Sequence, residues 1–336
     1  MARRLRIHKG THAASSYPEL TEQLRIGPGN EKGENMYKKV LIPLDGSKTA
    51  EKVLPYARYL AGRFKIPIEL LAVIDIAEMA AHMSAEKARF LDIMVEDAVG
   101  ASENYLRQVA GIFNGLTVKC TIERGRAEEA IIEKAAVDKN ILIAMATHGR
   151  SGLDRFLLGS VAEKVLRGSA NPMLVVRATE RDKAKREAGF KTIIVPLDGS
   201  ELAERVLPTA AEMAKQLGLG LVLFRAYHIP YNAYAGEGGA YAVNYDELIS
   251  AVRDEADEYL QKKVADVKAL GIDKVSGLAK EGFAGDEILA LGRKTPNGLI
   301  AMSSHGRSGM RRWVLGSVTE TVVRHTSNPV LVVRAN

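Results

Sequence analysis

Continuous apolar runs, each followed by a stretch of helical period, set the pattern of this chain. Residues 38–44, Lys-Lys-Val-Leu-Ile-Pro-Leu, form one such run, closed by Asp45-Gly46-Ser47. A run that is apolar on both faces is the mark of a strand covered on both sides. Ala50, Val53, Leu54, Ala57, Leu60 and Ala61 then recur at helical spacing. Further runs predict strands over 68–74, 117–123, 141–146 and 173–177, with helices over 85–110, 127–137 and from 160 to about 168. Strands alternating with helices predict a parallel sheet with helices on both faces.

The pattern then restarts. Residues 178–190 are charged and poor in apolar side chains, and read as a linker. Ile193–Ser200 repeats the first strand and its turn at an offset of 153, and Leu207-Pro208 repeats Leu54-Pro55 at the same offset. Gly306, Gly316 and Pro329 repeat Gly149, Gly159 and Pro172 at an offset of 157, so the second copy holds four extra residues between its second and third strands. They fall within 229–247, with Tyr231, Tyr234, Tyr241 and Tyr245 beside Gly236, Gly238 and Gly239. That segment is either a long surface loop whose tyrosines pack locally or a flap over a ligand site. The predicted fold class is α/β: two tandem doubly wound domains, 37–177 and 191–336, each a five-stranded parallel sheet of order 3-2-1-4-5 flanked by helices. Residues 1–36 lack sustained periodicity and read as a flexible N-terminal tail. Met36-Tyr37-Lys38-Lys39 leads straight into the first strand, so either translation starts at Met36 or the segment is a disordered or partner-contacting tail.

Composition narrows the class. Hydrophobic residues at 46% and charged residues at 26% are ordinary for a soluble globular protein. No stretch approaches the roughly 18 apolar residues of a membrane span. No apolar segment follows Arg3, Arg4 and Arg6, so no secretory signal is expected. Cys120 is the single cysteine and sits in an alternating strand-like run, where a structural thiol is expected rather than a nucleophile. Without a second cysteine no intrachain disulfide forms, and a cytoplasmic location is expected. The net charge is +6, but residues 1–36 carry six Lys/Arg against four Asp/Glu (+2) and residues 177–191 carry six against three (+3), leaving +1 elsewhere. The basic excess lies in tail and linker rather than on a folded face, which argues against a nucleic-acid partner.

The stretch after each fourth strand carries the candidate chemistry. Ile141–Ala146 runs into Thr147-His148-Gly149-Arg150-Ser151-Gly152 and on to Leu158-Gly159-Ser160-Val161; Leu299–Ser303 runs into Ser304-His305-Gly306-Arg307-Ser308-Gly309 and on to Leu315-Gly316-Ser317-Val318. In an open parallel sheet, ligands bind beyond the carboxyl ends of the strands, where the strand order reverses. An acid ends the first strand of each copy there, Asp45 or Asp198. A carboxylate accepts hydrogen bonds from a ribose diol or an amine. Glycines let backbone N–H groups come close to an anion, and the following helix turns its N-terminal dipole toward it. Together these describe a mononucleotide site. A structural reading stands beside it: Ser160-x-x-Glu163 and Ser317-x-x-Glu320 fit capping boxes, and Asp-Gly-Ser fits a turn. There is no Walker A sequence, no His-x-Gly-His motif and no Cys-x2-Cys spacing. No catalytic residue and no protein metal ligand are therefore assigned, and His148 and His305 read as structural.

Over residues 37–334 both copies resemble tandem universal stress proteins. The ATP-binding members of that family share a Gly, two residues, a Gly, nine residues and then Gly-Ser or Gly-Thr. Here Gly149 is followed after nine residues by Gly159-Ser160, and Gly306 by Gly316-Ser317; the small residues Ala146 and Ser303 stand where the pattern begins. The resemblance implies ATP, or AMP or ADP, in a crevice of each half, with Mg2+ carried in only by the phosphates. It implies Asp45 and Asp198 at ribose and base, Val73 and Ala226 at the adenine slot, and Met145 and Met302 beside the base. Gly149, Arg150, Gly159, Ser160 and Val161, with Gly306, Arg307, Gly316, Ser317 and Val318, would form the loop and helix start of each site. It also implies edge-to-edge pairing through 173–177 and 330–334, as an intramolecular pseudo-dimer, with a homodimer as a further expectation. Asp154 in the first loop and Arg311 in the second predict that the second site favours the triphosphate. The function implied is a stress-response regulator that acts as a nucleotide-dependent switch toward an unknown protein partner. A scaffold of the same fold without nucleotide, and a slow ATPase, are the alternatives.

Overall fold

The computed structural model describes residues 35–81, 84, 88–147, 158–177, 188–229, 245–306 and 315–334. The tail 1–34, most of the linker and the tyrosine-rich segment 230–244 lie outside the described residues.

The first half runs β1 (Lys39–Pro43), α1 (Leu54–Phe64), β2 (Ile68–Ile74), α2 (Ile76–Ala81), α3 (Leu91–Ala110), β3 (Val118–Arg124), α4 (Ala127–Ala136), β4 (Ile141–Ala146), α5 (Ser160–Gly168) and β5 (Met173–Val176). The second runs β6 (Thr192–Pro196), α6 (Glu201–Glu204), α7 (Leu207–Leu217), β7 (Gly220–Tyr227), α8 (Tyr245–Ala269), β8 (Val275–Glu281), α9 (Ala284–Lys294), β9 (Gly298–Ser303), α10 (Ser317–His325) and β10 (Val330–Val333). The predicted helix 85–110 is shorter: α3 starts at Leu91 after a single 3-10 turn at Ala88–Phe90, and α2 was not expected.

Among the described residues the strands join one ten-stranded sheet of order β3-β2-β1-β4-β5-β10-β9-β6-β7-β8. Each half thus has the predicted 3-2-1-4-5 order. The halves meet where β5 and β10 pair antiparallel, with Leu174 opposite Leu331. Every other pairing is parallel. The strand order reverses between β1 and β4 and between β6 and β9. There the ladders are short, ending at Leu41 opposite Ile143 and at Ile194 opposite Ile300. Pro43 and Pro196 follow. Proline has no N–H to give a ladder, so the neighbouring strands part and leave a crevice at their carboxyl ends.

Side chains alternate across the sheet into two cores, and both cores cross the seam. Val40, Leu60 and Leu70 pack with Val195, Leu223 and Leu260 on one face. Leu41, Leu71 and Ile143 pack with Ile194, Phe224 and Ile300 on the other. Each such side chain, fully buried, contributes about 1.5–3 kcal/mol.

The seam carries polar cross-links as well. Arg167 bonds Glu163 at 2.9 Å and faces Glu320 at 3.6 Å; Arg324 bonds Glu320 at 2.7 Å and faces Glu163 at 3.4 Å. The four residues tie α5 to α10, with a glutamate in the first turn and an arginine in the last turn of each helix. Arg177 donates to the His325 carbonyl at 3.0 Å, and Arg334 to the Leu166 carbonyl at 3.5 Å, so each closing strand reaches the C-terminus of the other half's helix. Phe190, at the end of the linker, is buried and stacks on Tyr56 of α1 with ring centroids 5.7 Å apart.

The repeated Ser169-Ala170-Asn171-Pro172 and Thr326-Ser327-Asn328-Pro329 corners have a structural role. Asn171 donates to the carbonyls of Asp138 and Ile141 at 2.8 and 3.2 Å, and Asn328 to those of Thr295 and Gly298 at 3.4 and 3.1 Å. Each asparagine pins the turn before the closing strand to the start of the fourth.

One buried acid distinguishes the halves. Glu69 on β2 accepts from Lys39 and, at 2.8 Å, from the Thr121 hydroxyl, with Lys134 at 3.7 Å. Burial alone would push its carboxyl up. The hydrogen bonds from Lys39 and Thr121 and the charges of Lys39 and Lys134 outweigh that and hold it below the usual glutamate value. At the offset of 153 the second half has Val222 in its place.

Candidate functional site

The second crevice opens where β6 and β9 part and has a volume of about 230 Å³. Asp198, just past β6, forms one wall. Gly199 takes a φ of 85°, which a side chain would resist. The turn it makes lets Oδ1 of Asp198 accept from the Ser200 N–H at 2.9 Å and from its hydroxyl at 2.6 Å. Ser200 Oγ in turn accepts from the Ala203 N–H at 3.2 Å and caps α6. Glu204 anchors that turn by accepting from the Tyr259 hydroxyl at 2.8 Å and from Lys263 at 2.7 Å. Burial, and then the Glu204 carboxylate, push the Tyr259 phenol far above its ordinary value, so it remains the donor.

With Oδ1 held by the turn, Oδ2 of Asp198 lies against Gly306. A Cβ added at 306 would overlap that oxygen. The acid at the end of the first strand and the first glycine of the loop therefore meet.

The loop leaves and returns at one point. Ser304 donates its N–H to the Val333 carbonyl at 2.8 Å, and its own carbonyl accepts from the Gly316 N–H at 2.9 Å. α10 then begins. Here the capping-box reading is corrected. The N-cap is Gly316, Ser317 is the first helical residue, and no side chain caps the helix; the first half has Gly159 and Ser160 in the same roles. The first intrahelical bond runs from Glu320 N–H to Gly316 O at 2.8 Å. The N–H groups of Ser317, Val318 and Thr319 precede it and have no carbonyl within the helix to receive them. All three residues line the crevice, with Gly316. The serines are exposed and carry no capping duty.

Phe224, Ala226, Ile288 and Met302 form the apolar wall. Phe224 was not singled out from sequence. The signal was present in strand alternation: it lies two residues before Ala226 on β7, on the same face. His305 is buried beside the crevice, its Nδ1 3.0 Å from the Ser304 hydroxyl. Ser303 also lines the crevice, and its carbonyl accepts from the Thr319 hydroxyl at 3.0 Å.

The first half repeats the frame. Asp45 accepts from the Ser47 N–H at 2.9 Å, Ser47 Oγ from the Ala50 N–H at 3.0 Å, and Gly46 has a φ of 80°. Gly159 donates to the Thr147 carbonyl, and Glu163 N–H bonds Gly159 O at 2.8 Å. Val73 and Val161 pack against the cluster that holds Met145, Leu71 and Leu158. Gly149, Arg150 and Arg307, with His148, Asp154 and Arg311, lie outside the described residues.

Other candidates fall away from the crevice. Cys120 is exposed on β3, an outer strand of the sheet, and partial burial pushes its thiol up against the pull of Arg107. Among the described residues no group of three or more His, Cys, Asp or Glu is placed to hold a metal, and no helix is long and apolar enough to cross a membrane.

A family model described as the universal stress protein family matches residues 36–177 and 189–334. A universal stress protein of Methanocaldococcus jannaschii is 29% identical over 150 residues, 45% of this chain and 88% of its own length. One of Mycolicibacterium smegmatis is 25% identical over 301 residues, 88% of this chain and 96% of its own. The crystal structure of a universal stress protein from Archaeoglobus fulgidus superposes with a TM-score of 0.62 at 22% identity, over 90% of this chain and 99% of that one.

Proposed function

The chain belongs to the universal stress protein family, and from that premise we propose that it is a nucleotide-dependent switch holding ATP in a crevice of each half. Residues 37–177 and 191–336 serve as the two binding domains of a cytoplasmic protein that signals occupancy to a protein partner. The observation that carries this reading is the approach of Asp198 to Gly306, in a crevice whose far side is the N-terminus of α10.

That arrangement suits the parts of a nucleotide. The carboxylate of Asp198 accepts from sugar hydroxyls. Phe224, Ala226, Ile288 and Met302 offer an apolar slot for a flat base. The N–H groups of Ser317 and Val318 and the dipole of α10 favour the phosphates. In the first half Asp45, Val73, Met145, Ser160 and Val161 take the same roles. Gly149, Arg150, Gly306 and Arg307 are assigned to the phosphates, which bring their own Mg2+. The proposal gives the crevices binding rather than turnover.

The test is to denature the purified chain and analyse what it releases. Adenine nucleotide approaching one per half is expected, and its form separates ATP from ADP or AMP. ATP added to stripped protein should stabilise it by about 2.7 kcal/mol at a hundred times Kd. No released nucleotide together with no thermal shift would overturn the reading in favour of a scaffold.

A further inference from the structure

With β5 and β10 closed on each other, the outer strands of the sheet are β3 and β8. We propose that β3 is the surface through which two copies of this chain pair. The strands run antiparallel about a two-fold axis at Thr121, and Lys119 of each copy meets the partner's Glu123.

The backbone of β3 fixes which groups are on offer. The Thr117 carbonyl accepts from the Ile68 N–H at 2.9 Å, and the Gly125 N–H donates to the Ile74 carbonyl at 3.0 Å. Successive residues of a strand turn their N–H and C=O groups to opposite sides. Lys119, Thr121 and Glu123 therefore turn theirs to β2, and Val118, Cys120, Ile122 and Arg124 turn theirs outward. Among the described residues no backbone group outside the sheet meets those outward groups. Such a row of donors and acceptors is a template for a further strand.

A two-fold axis at Thr121 pairs all seven residues of β3. Cys120 then faces the partner's Ile122, and Val118 the partner's Arg124, as pairs that exchange both hydrogen bonds. Lys119 and the partner's Glu123 form a pair of the other kind, in which side chains stand closer. Charges on an edge strand commonly keep a second strand away. Here they match, because opposite charges directly across a pair stabilise it and like charges oppose it. Lys119 is exposed, and the Glu123 side chain is 40% exposed beside Lys134. On the other face Cys120 and Ile122 line an open groove of about 480 Å³ with Val99 and Leu106, where the partner's Ile122 stands against Cys120.

The other edge is less suited. The Gly282 N–H donates to the Tyr227 carbonyl at 2.9 Å, which gives β8 the same phase. A two-fold axis at its central Leu278 sets Lys280 against the partner's Ser276 and Glu281 against the partner's Val275, with no pair of opposite charges. Pairing β3 with the partner's β8 would not close and would run on as a filament, whereas β3 on β3 closes as a dimer.

The full chain carries its own probe, since Cys120 is its single cysteine. Sedimentation equilibrium should show a reversible dimer. A bismaleimide spanning about 8 Å should join Cys120 to the partner's Cys120, because diagonal neighbours across an antiparallel pair lie about 7–8 Å apart. Lys119→Glu and Glu123→Lys each set like charges opposite one another at two places, and each alone should weaken the dimer by more than about tenfold and lose the cross-link. An equimolar mixture of the two variants should dimerise again, because every altered position then faces the opposite charge. A wild-type chain that stays monomeric at every concentration would overturn the proposal. So would a dimer that neither variant weakens, or a mixture of variants, folded by circular dichroism, that recovers no dimer. Should a variant fail to fold, the wild-type cross-link decides: a dimer that the reagent does not join through Cys120 places the contact elsewhere and overturns it.

Discussion

Oδ2 of Asp198 occupies the space that a Cβ at Gly306 would need, and the carboxyl carbon would lie 3.3 Å from that Cβ. The glycine is required here by contact rather than by backbone angle. Gly306→Ala should therefore displace the carboxylate and weaken ATP binding to the second crevice by more than about tenfold, a loss of roughly 1.4 kcal/mol or more, with little change in melting temperature. Asp198→Asn keeps an acceptor for the Ser200 N–H and separates loss of charge from loss of the turn. Calorimetric titration of each variant in a Gly159→Trp background, where the first crevice is blocked, checks both, and undiminished affinity in Gly306→Ala would contradict the contact.

Glu69 should make stability depend on acid. Its folded pKa lies below the ordinary value of 4.5. Its contribution is therefore fully present above pH 4.5 and is lost as pH falls below that value through the folded pKa. Glu69→Gln should lower stability at neutral pH by about 1.5–3 kcal/mol, the range for hydrogen bonds to a charged group. It should also flatten the acid side of the profile. Urea unfolding between pH 3 and pH 7 measures both, and an unchanged acid limb in the variant would exclude Glu69 as its source.

The Arg167–Glu163–Arg324–Glu320 cluster joins helices of different halves, with its side chains 20–31% exposed. Arg167→Ala and Arg324→Ala should each cost about 0.5–1 kcal/mol. The double variant should cost less than their sum, because the two arginines share both partners, and the effect should shrink in high salt. Additive losses that ignore salt would mean the four residues do not act together.

The loops differ by Asp154 in the first and Arg311 in the second. A Gly159→Trp protein, which keeps only the second crevice, should prefer ATP over AMP more strongly than a Gly316→Trp protein. From Asp154 to Arg311 is a change of two unit charges; at about 1 kcal/mol per unit charge in high dielectric this is worth about 2 kcal/mol, roughly a thirtyfold difference in that preference. Equal ATP-to-AMP ratios in the two proteins would refute it.

Most of the fold was legible in the residues. Strands over 68–74 and 141–146 and the helix from 160 to 168 stand where the periodicity put them. Buried parallel strands read as unbroken apolar runs, and the duplication gave each element two independent sightings. The offsets of 153 and 157 likewise located the extra residues, since β7 and β8 are displaced from β2 and β3 by those amounts. The capping boxes misled because spacing alone does not fix which residue is the N-cap. Gly159 and Gly316 take that position, held by bonds to the carbonyls of Thr147 and Ser304. Those bonds close a loop over many residues and leave no local mark in the sequence. Glu69 was passed over for a similar reason. An acid in an apolar run looks like an exposed edge until its partners, Lys39 and Thr121, are brought in from neighbouring strands.

What the sequence determined by itself was the set of elements, their repetition and the chemical types gathered at strand ends. Hydrophobic period and turn residues act within a few positions and need no distant partner. What only the tertiary structure decided was which of these meet. Asp198 and Gly306 lie more than a hundred residues apart in the chain. They touch because β6 and β9 are sheet neighbours whose ladder ends at Ile194 opposite Ile300. The joining of β5 to β10 is also decided there, because two short apolar edges of matching length bury each other's backbone groups when the halves fold together. So is the isolation of the Ser303 hydroxyl, buried with no partner among the described residues: a serine at the end of an apolar strand shows no want of a partner until the packing around it has excluded water.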